Sequence, residues 1–270
     1  MPVGISSPAR NLFLLGSSGD TLVTNFFKSI DKSSSFDEVY VPQKIKYSYD
    51  SYILAGYAQD NVVRRLSWVE NRTYNPDNAS STEVWHQELE SLEFDWMTGA
   101  SNNDSGTSLF DLCIDENGNL FAVGDSNNTN WIAKYNSTGA LQWTSTSFRA
   151  QSTYRAVASD GNCLYVCGES RFSPFDSKSF VEKYDYNGAT YWGTVVDFEG
   201  AEVNLKDVGV TSDGNVIAVG NIDFDYGYMV KLDSGTGEVL WDKTIKSPIY
   251  RSNSSEPENV RPEKLFVDGK

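Results

Sequence analysis

"KDVGVTSDGNVIAVGNIDFDYGYMVKLDSGTGEVLWDKT", residues 206–244, is the stretch from which the fold can be predicted. It contains short runs of apolar residues separated by groups of Gly, Asn, Asp and Ser. Short strands bounded by such turn residues at spacings of about 8–12 residues are typical of antiparallel meanders. The stretch therefore predicts four consecutive strands, which we name A, B, C and D.

The same pattern occurs twice upstream, at residues 109–144 and 154–194. In each copy strand A ends in a Gly-Asn turn, strand B ends in Gly, strand C carries Lys and strand D carries Trp. These shared positions are Gly118-Asn119, Gly161-Asn162 and Gly214-Asn215; Gly124, Gly168 and Gly220; Lys134, Lys183 and Lys231; and Trp143, Trp192 and Trp241. Repetition at this period predicts an array of similar sheets.

Two weaker copies precede these three. The matches are residues 44–56 (strands A and B) and 83–89 (strand D) in the second unit, and residues 11–16 (B), 22–29 (C) and 36–41 (a degenerate D) in the first. A helix is an alternative for residues 88–97, because Trp85, Leu89, Leu92 and Trp96 fall at helical spacing after Thr82. The repeat favours the strand at 83–89.

The first unit has no strand A, and the chain ends in "EKLFVDGK", residues 263–270, which aligns with strand A of the other units. A repeat completed only by joining its two ends is circular. We therefore predict an all-β, five-bladed β-propeller with four-stranded antiparallel blades, in a single domain of residues 1–270. Closure by the terminal strand would remove two open sheet edges. The predicted blades are 263–270 with 9–41, 42–89, 108–146, 153–195 and 205–246.

Residues 133–143, "AKYNSTGALQW", resemble the tryptophan-docking motif of quinoprotein-type propellers, A-x-D-x-x-T-G-x-x-x-W. The units as wholes are similar to bacterial propeller repeats of the form "DGNVYVxG … VxKxDxxGxxxW". The resemblance implies that Trp143, Trp192 and Trp241 pack between neighbouring blades. It implies no quinone, and we predict no cofactor.

The net charge of −15 disfavours nucleic acid and anionic membranes as partners. No apolar run reaches 18 residues, so we predict no membrane insertion. The start of the chain lacks the pattern of a signal peptide, which predicts synthesis in the cytoplasm without export by the general pathway. Cys113, Cys163 and Cys167 are expected to be buried thiols. The acidic, Asn-, Ser- and Tyr-rich composition resembles that of phage virion and tail-associated proteins.

In this strand order the A–B and C–D turns lie on one face, the turn face, and the B–C and D–A connections lie on the other, the loop face. We predict longer connections on the loop face, including B–C loops at 125–130, 169–179 and 221–227, and a ligand there at the channel mouth. The candidate ligand-binding residues are Asp111, Tyr154, Arg155, Asp207, Asp223, Asp225 and Arg261. The acidic and aromatic run around Asp223 and Asp225 suits a glycan. Its spacing departs from that of calcium loops, so no metal is predicted.

His86 is the single histidine, and no P-loop, G-x-S-x-G or G-x-G-x-x-G motif occurs. We therefore predict no catalytic residues. The enzymatic alternative is a glycoside hydrolase that uses carboxylates alone, with Asp111 and Asp207 eight positions before their turn asparagines and Tyr154 at that place in the blade between. The leading hypothesis is a non-enzymatic propeller that presents its loop face to a glycan or protein partner.

Overall fold

The computed structural model describes residues 14–15, 21–23, 39–48, 51–59, 65–75, 80–89, 107–126, 129–146, 151–173, 176–223, 226–246, 260–262, 264–265 and 267. All regular secondary structure in these ranges is β-strand. The strands are β1 (Leu14–Leu15), β2 (Thr21–Val23), β3 (Val39–Ser48), β4 (Ser51–Gln59), β5 (Arg65–Asn75), β6 (Ser80–Leu89), β7 (Thr107–Ile114), β8 (Leu120–Ser126), β9 (Thr129–Tyr135), β10 (Leu141–Ser145), β11 (Ser152–Ser159), β12 (Cys163–Ser173), β13 (Asp176–Asp185), β14 (Thr190–Val196), β15 (Val203–Val210), β16 (Val216–Ile222), β17 (Tyr226–Leu232) and β18 (Val239–Ile245).

The strands form antiparallel meanders in chain order. Four sheets have four strands each: sheet 2 is β3–β6, sheet 3 is β7–β10, sheet 4 is β11–β14 and sheet 5 is β15–β18. Strands β1 and β2 pair as a fifth, two-stranded sheet, which we call sheet 1. The predicted all-β class and the four-stranded antiparallel sheets are confirmed.

Successive sheets pack face to face through their first strands. Strand β11 contacts β7 on one side and β15 on the other, and β7 contacts sheet 2. The apolar side chains of each seam, the interface between two successive sheets, come from both of them. The seam of sheets 3 and 4 contains Phe121, Val123, Ile132, Tyr154, Val157, Leu164, Val166 and Phe180; that of sheets 4 and 5 contains Ala156, Tyr165, Cys167, Val181, Val203, Leu205 and Val208.

A β-bulge interrupts strand A at the same point in each four-stranded sheet. The bulged residues are Gln43, Phe110, Arg155 and Lys206, each directly after the residue that pairs with the glycine near the end of strand B. A Cβ atom at Gly168 or Gly220 would collide with the backbone carbonyl of Thr153 or Asn204. The bulge therefore explains why the repeat keeps glycine there, since backbone approaches the glycine too closely for any side chain.

Strand C carries an aromatic residue opposite the same glycine. The residues in register with Gly56, Gly124, Gly168 and Gly220 are Trp68, Trp131, Phe180 and Tyr228. Of these, Trp131, Phe180 and Tyr228 are buried. An aromatic side chain beside a glycine covers the area that the glycine leaves bare, so glycine and aromatic residue form one packing unit.

One expectation about element bounds is wrong and another is confirmed. Residues 36–41 were predicted as strand D of the first unit, but β3 begins at Val39, which pairs with Gln59 of β4. Residues 39–41 therefore begin strand A of sheet 2. Strand β6 includes residues 83–89, as the repeat predicted, whereas residues 90–97 of the helical alternative lie outside the described residues.

The B–C connections are much shorter than predicted. Strands B and C stay paired almost to the tip of each hairpin, so that only residues 127–128, 174–175 and 223–225 lie between them in sheets 3, 4 and 5. The polar residues assigned to loops therefore belong largely to strands. Their hydrogen-bonded ladders hold polar side chains at the end of each sheet.

Pairing of β1 with β2 agrees with the predicted strands B and C of the first unit, whose other residues lie outside the described ranges. At the C-terminus, residues 260–262, 264–265 and 267 are assigned to no strand. No helix in the described ranges has the length and apolarity needed to cross a bilayer.

Candidate functional site

The turn face is built from repeated contacts between neighbouring sheets. The indole N–H of Trp143 on β10 donates to the backbone carbonyl of Tyr186 in sheet 4, at 3.0 Å. The ammonium of Lys134 on β9 donates to the same oxygen, at 3.4 Å. A Cβ at Gly188 of that turn would lie 3.2 Å from the Trp143 ring. The Trp, the Lys and the turn glycine thus form a single inter-sheet contact.

Sheets 4 and 5 repeat this contact. Trp192 Nε1 and Lys183 Nζ both donate to the carbonyl of Ser234, at 3.1 and 2.7 Å. A Cβ at Gly237 would lie 2.7 Å from the Trp192 ring. Trp241 holds the corresponding place on β18, with the Lys243 ammonium 5.2 Å from its ring centre. The turn glycines and tryptophans have a structural role.

Aspartates also close the individual turns of this face. Asp115, Asp160, Asp185 and Asp233 each accept two backbone N–H groups of their own turn through one carboxylate oxygen. The N–H groups of Thr236 and Gly235 hold the pKa of Asp233 below its ordinary value. These four aspartates and the turn N–H groups that they accept are therefore satisfied within the protein.

Asp111 and Asp207, the proposed hydrolytic pair, each accept a backbone N–H from outside their own sheet. Asp111 Oδ2 accepts the backbone N–H of Val157 in sheet 4 at 3.1 Å, and Asp207 Oδ2 accepts that of Leu265 at 2.8 Å. Lys264 Nζ lies 3.5 Å from the same oxygen of Asp207. The two aspartates are 3% and 7% exposed. The structure places both carboxylates in the interior as acceptors for backbone donors.

The assignment of Tyr154 to the place of these aspartates is wrong by two residues. Asp111 pairs with Val123 and Asp207 with Val219, and in sheet 4 the corresponding pair is Ala156 with Cys167. The A–B turn of sheet 4 is one residue shorter than the others, and its asparagine lies one place further from strand B, so counting back from the turn asparagine gives a register wrong by two residues. Ala156 offers no carboxylate to sheet 5. There the N–H of Val208 donates to Asp207 Oδ1 instead, at 3.1 Å.

Tyr154, predicted as a ligand-binding residue, lies in the interior. It is wholly buried in the seam of sheets 3 and 4. Its hydroxyl donates to Glu182 Oε2 at 2.8 Å and lies 2.5 Å from the hydroxyl of Tyr184, which bonds the same carboxylate oxygen. Burial, followed by the charge of Glu182, raises the pKa of Tyr154 well above its ordinary value.

Arg155 is a bulged residue of strand A and is half-buried. Its guanidinium lies 4.8 Å from the ring centre of Phe110, the bulged residue of the neighbouring strand A, and pairs with the carboxylate of Glu169. Its Nε is buried without a hydrogen-bond partner. Bulges redirect side chains, and this one brings a cation onto an aromatic face at the inner strands.

Asp223, in the connection between β16 and β17, is hydrogen-bonded to Glu202, which directly precedes β15. The N–H of Asp223 donates to the carbonyl of Glu202, and the N–H of Glu202 donates to Asp223 Oδ1, both at 2.9 Å. Asp223 has a left-handed φ of 48°. Asp225 lies outside the described residues and Arg261 is exposed. The structure therefore gives Asp223 a loop-joining role.

Sequence reasoning missed a set of polar residues just beyond the strand-B glycines. The residue after each glycine pairs with one residue of strand A and one of strand C, and we call these triplets the loop-end rows. They are Ser108–Asp125–Asn130 in sheet 3, Thr153–Glu169–Ser179 in sheet 4 and Asn204–Asn221–Gly227 in sheet 5. A Gly-Asp, Gly-Glu or Gly-Asn pair ending strand B was the signal available.

The loop-end rows of sheets 3 and 4 connect successive sheets. Thr153 Oγ1 donates to Asp125 Oδ2 at 3.4 Å. Ser179 Oγ donates to the carbonyl of Val203 at 2.7 Å and accepts the N–H of Leu205 at 3.0 Å. Each seam is thus apolar in its middle and polar at the loop face.

Some buried polar atoms near the loop face have no hydrogen-bond partner. They are Trp131 Nε1, Arg155 Nε, Asn204 Nδ2 and Asn221 Oδ1. Asn204 and Asn221 are 4% and 3% exposed. Leaving such atoms unpaired costs about 1–3 kcal/mol each, so they call for a physical explanation.

Metal and thiol chemistry find little support among the described residues. No group of three His, Cys, Asp or Glu side chains there is close enough to hold a metal ion. The three cysteines form no disulfide; Cys167 is wholly buried, as expected of all three, whereas Cys113 and Cys163 are partly exposed. Burial, with the nearby charges of Asp207 and Asp111, raises the pKa of the Cys167 thiol, which makes it a poor nucleophile.

No protein-family model matches the chain, and no curated protein matches it. Among solved structures it is similar to a subtype N10 neuraminidase-like protein of A/little yellow-shouldered bat/Guatemala/060/2010. The sequence identity is 8% and the TM-score 0.46, and the match covers 77% of this chain. The chain spans about 60% of the length of that protein.

Proposed function

We propose that the chain forms a closed ring of five blades, in which residues 263–270 supply strand A of sheet 1. Two equivalent hydrogen bonds support this. Asp207 accepts the N–H of Leu265 as Asp111 accepts that of Val157. Leu265 thus takes the place of Val157, and the Asp-Gly turn follows three residues after each of them.

A coordinated pair of residues supports the same register. Ser179 of sheet 4 accepts the N–H of Leu205, which lies three residues before Val208. Pro262 lies three residues before Leu265 and has no N–H to donate. The row position equivalent to Ser179 is Gly227 in sheet 5, where an added Cβ would lie 3.0 Å from Pro262 Cγ. Pro262 thus removes the N–H donor of this bond, and Gly227 removes its hydroxyl acceptor.

Contacts of Leu265 and Val267 with Gly209 support the same register of the C-terminal segment. A Cβ at Gly209 would lie 2.9 Å from Val267 Cγ2 and 3.1 Å from Leu265 Cδ2. These side chains cover sheet 5 on the face opposite sheet 4. In this proposal they belong to the next blade.

We infer that this ring is a non-enzymatic binding module that presents its loop face to a glycan or protein partner. The observation that carries the inference is the contrast between the two faces. On the turn face, aspartates and indoles bond to turn backbone, whereas at the loop face Trp131, Asn204 and Asn221 keep buried polar atoms without a partner. A polar ligand at that face would supply the missing bonds.

The positions of the two candidate carboxylates favour binding over hydrolysis. A carboxylate-only glycosidase needs two carboxyl groups about 5–9.5 Å apart on either side of the scissile bond. Asp111 and Asp207 each have an oxygen committed to a backbone N–H of the next inner strand. Such carboxylates hold the ring together in the proposed fold.

An oligosaccharide array and a pull-down from candidate host-cell extract, made with the full chain, test the binding role. Retention of at least one saccharide or protein, with no turnover of aryl glycosides, is the expected result. Turnover that disappears in both Asp111→Asn and Asp207→Asn, while the two variants stay folded, would instead establish the hydrolase.

A further inference from the structure

Among the described residues, the loop-end row of sheet 5 forms no side-chain hydrogen bond to another sheet, unlike the rows of sheets 3 and 4. Asn204 and Asn221 are directly paired across β15 and β16, so their side chains share one face of the sheet. Gly227 completes the row, and Pro262 and Ile245 lie against it. Neither glycine nor proline offers a side-chain hydrogen-bonding group at this point.

The two unpartnered atoms of this row are complementary. Asn204 Nδ2 is a donor and Asn221 Oδ1 is an acceptor, and both are buried. Cross-strand side chains of a directly paired position start about 5 Å apart, so one small group between them can reach both atoms. The chemistry of that group is restricted, because it has to accept one hydrogen bond and donate another.

We propose that Asn204 and Asn221 form a subsite for one hydroxyl group of a neutral saccharide, an inference that rests on the proposed binding function. A hydroxyl accepts and donates through a single oxygen. A carboxylate or phosphate accepts only and would leave Asn221 unsatisfied, whereas an ammonium donates only and would leave Asn204 unsatisfied. A protein amide does both, but through two separate atoms that need more room.

The subsite is closed in this structure, because the two asparagines are 4% and 3% exposed. Pro262 lies over the open end of the row, at Gly227. A saccharide therefore enters when the run of residues 260–262 shifts from the end of sheet 5. The closed state leaves the asparagines unsatisfied, which favours the ligand-bound state by the bonds that the ligand restores.

The test measures binding of the full chain to an array of neutral oligosaccharides, with matched uronic-acid oligosaccharides beside them. The double variant Asn204→Leu/Asn221→Leu should lose about tenfold or more in affinity for the neutral saccharide that wild type binds. It should melt at the same temperature as wild type or higher, since removing both unpaired polar groups relieves their burial. Ser179→Ala is the matched control from the row of sheet 4. It should melt lower and bind unchanged.

A second variant keeps the size of the site. Asn204→Asp replaces the donor by an acceptor, so affinity should fall at neutral pH and recover as acid protonates the new carboxyl to an O–H donor. Wild-type pH dependence is the reference for that recovery.

Each other outcome overturns the inference. Unchanged binding by the double variant or by Asn204→Asp refutes the subsite and leaves the binding function standing. Wild-type binding to uronic-acid oligosaccharides alone, or to a protein partner alone, does the same. A lower melting temperature of the double variant shows that the pair supports the fold. Absence of any partner on the array and in the pull-down refutes the binding function itself.

Discussion

Asp207 and Leu265 lie 58 positions apart in the chain and are joined by a hydrogen bond of 2.8 Å from the Leu265 backbone N–H to Asp207 Oδ2. The same bond, from Val157 to Asp111, links sheets 3 and 4. A buried carboxylate that accepts a backbone N–H fixes the position of the donor segment along the strand that carries the carboxylate. The C-terminal run is therefore held against sheet 5 as β11 is held against sheet 3.

Asp207→Ala should lower the free energy of unfolding by about 1–3 kcal/mol, because the N–H of Leu265 loses its acceptor and Lys264 its ion-pair partner. Urea unfolding measures the loss, with exposed Ser212→Ala as the control. In a chain that ends at residue 259 the same substitution should cost much less, since both partners are gone. Equal losses in the two backgrounds would contradict the role of Asp207 at this seam.

The sequence predicted those parts of the fold in which the local geometry accepts only one type of residue. Gly168 and Gly220 recur because backbone crowds them at the bulge. Trp143 and Trp192 recur because an indole reaches the neighbouring turn. Such positions keep their residue type in every unit, so alignment finds them.

The errors at the candidate site have a different cause. A turn can lose a residue and still keep its turn residue types, as the A–B turn of sheet 4 shows. It is one residue shorter than the others and its asparagine lies one place further from strand B, so counting from Asn162 gave Tyr154 a false equivalence. Polar residues such as Asn221 read as loop because their burial depends on neighbouring sheets, which local sequence does not encode.

Deleting residues 263–270 should cost several kcal/mol of stability, because it removes Leu265 and Val267 from Gly209 together with the bond to Asp207. Thermal melting of the shortened chain measures this, and deletion of Lys270 alone serves as the control. A shortened chain that melts with the full chain would refute closure of the ring by this segment.

Trp192→Phe should destabilise the protein by about 0.5–1.5 kcal/mol, since the ring stays but the N–H bond to the Ser234 carbonyl is lost. Trp192→Ala should cost about 3–5 kcal/mol, because a large side chain is also removed from the seam. Chemical denaturation of both variants checks the ordering. Tyr191→Ala, at a neighbouring side chain that is 63% exposed, should change stability by less than either; a loss equal to that of Trp192→Ala would show that β14 has no special contact through Trp192.

The buried group of Tyr154, Tyr184 and Glu182 predicts a loss of stability in alkali. Burial and the charge of Glu182 raise the pKa of Tyr154 in the folded chain above the value of about 10 that it has when unfolded. Its contribution is therefore fully present below pH 10 and falls as the pH rises above 10, because only the unfolded chain can release the proton there.

Tyr154→Phe should lower stability at pH 7, where Glu182 loses one of two hydroxyl donors, by about 1–3 kcal/mol. Between pH 9 and 11 the stability of this variant should fall less steeply than that of wild type. Urea midpoints across that range measure both effects, with exposed Tyr191→Phe as the control; parallel slopes in wild type and Tyr154→Phe would show that Tyr154 ionises as easily folded as unfolded.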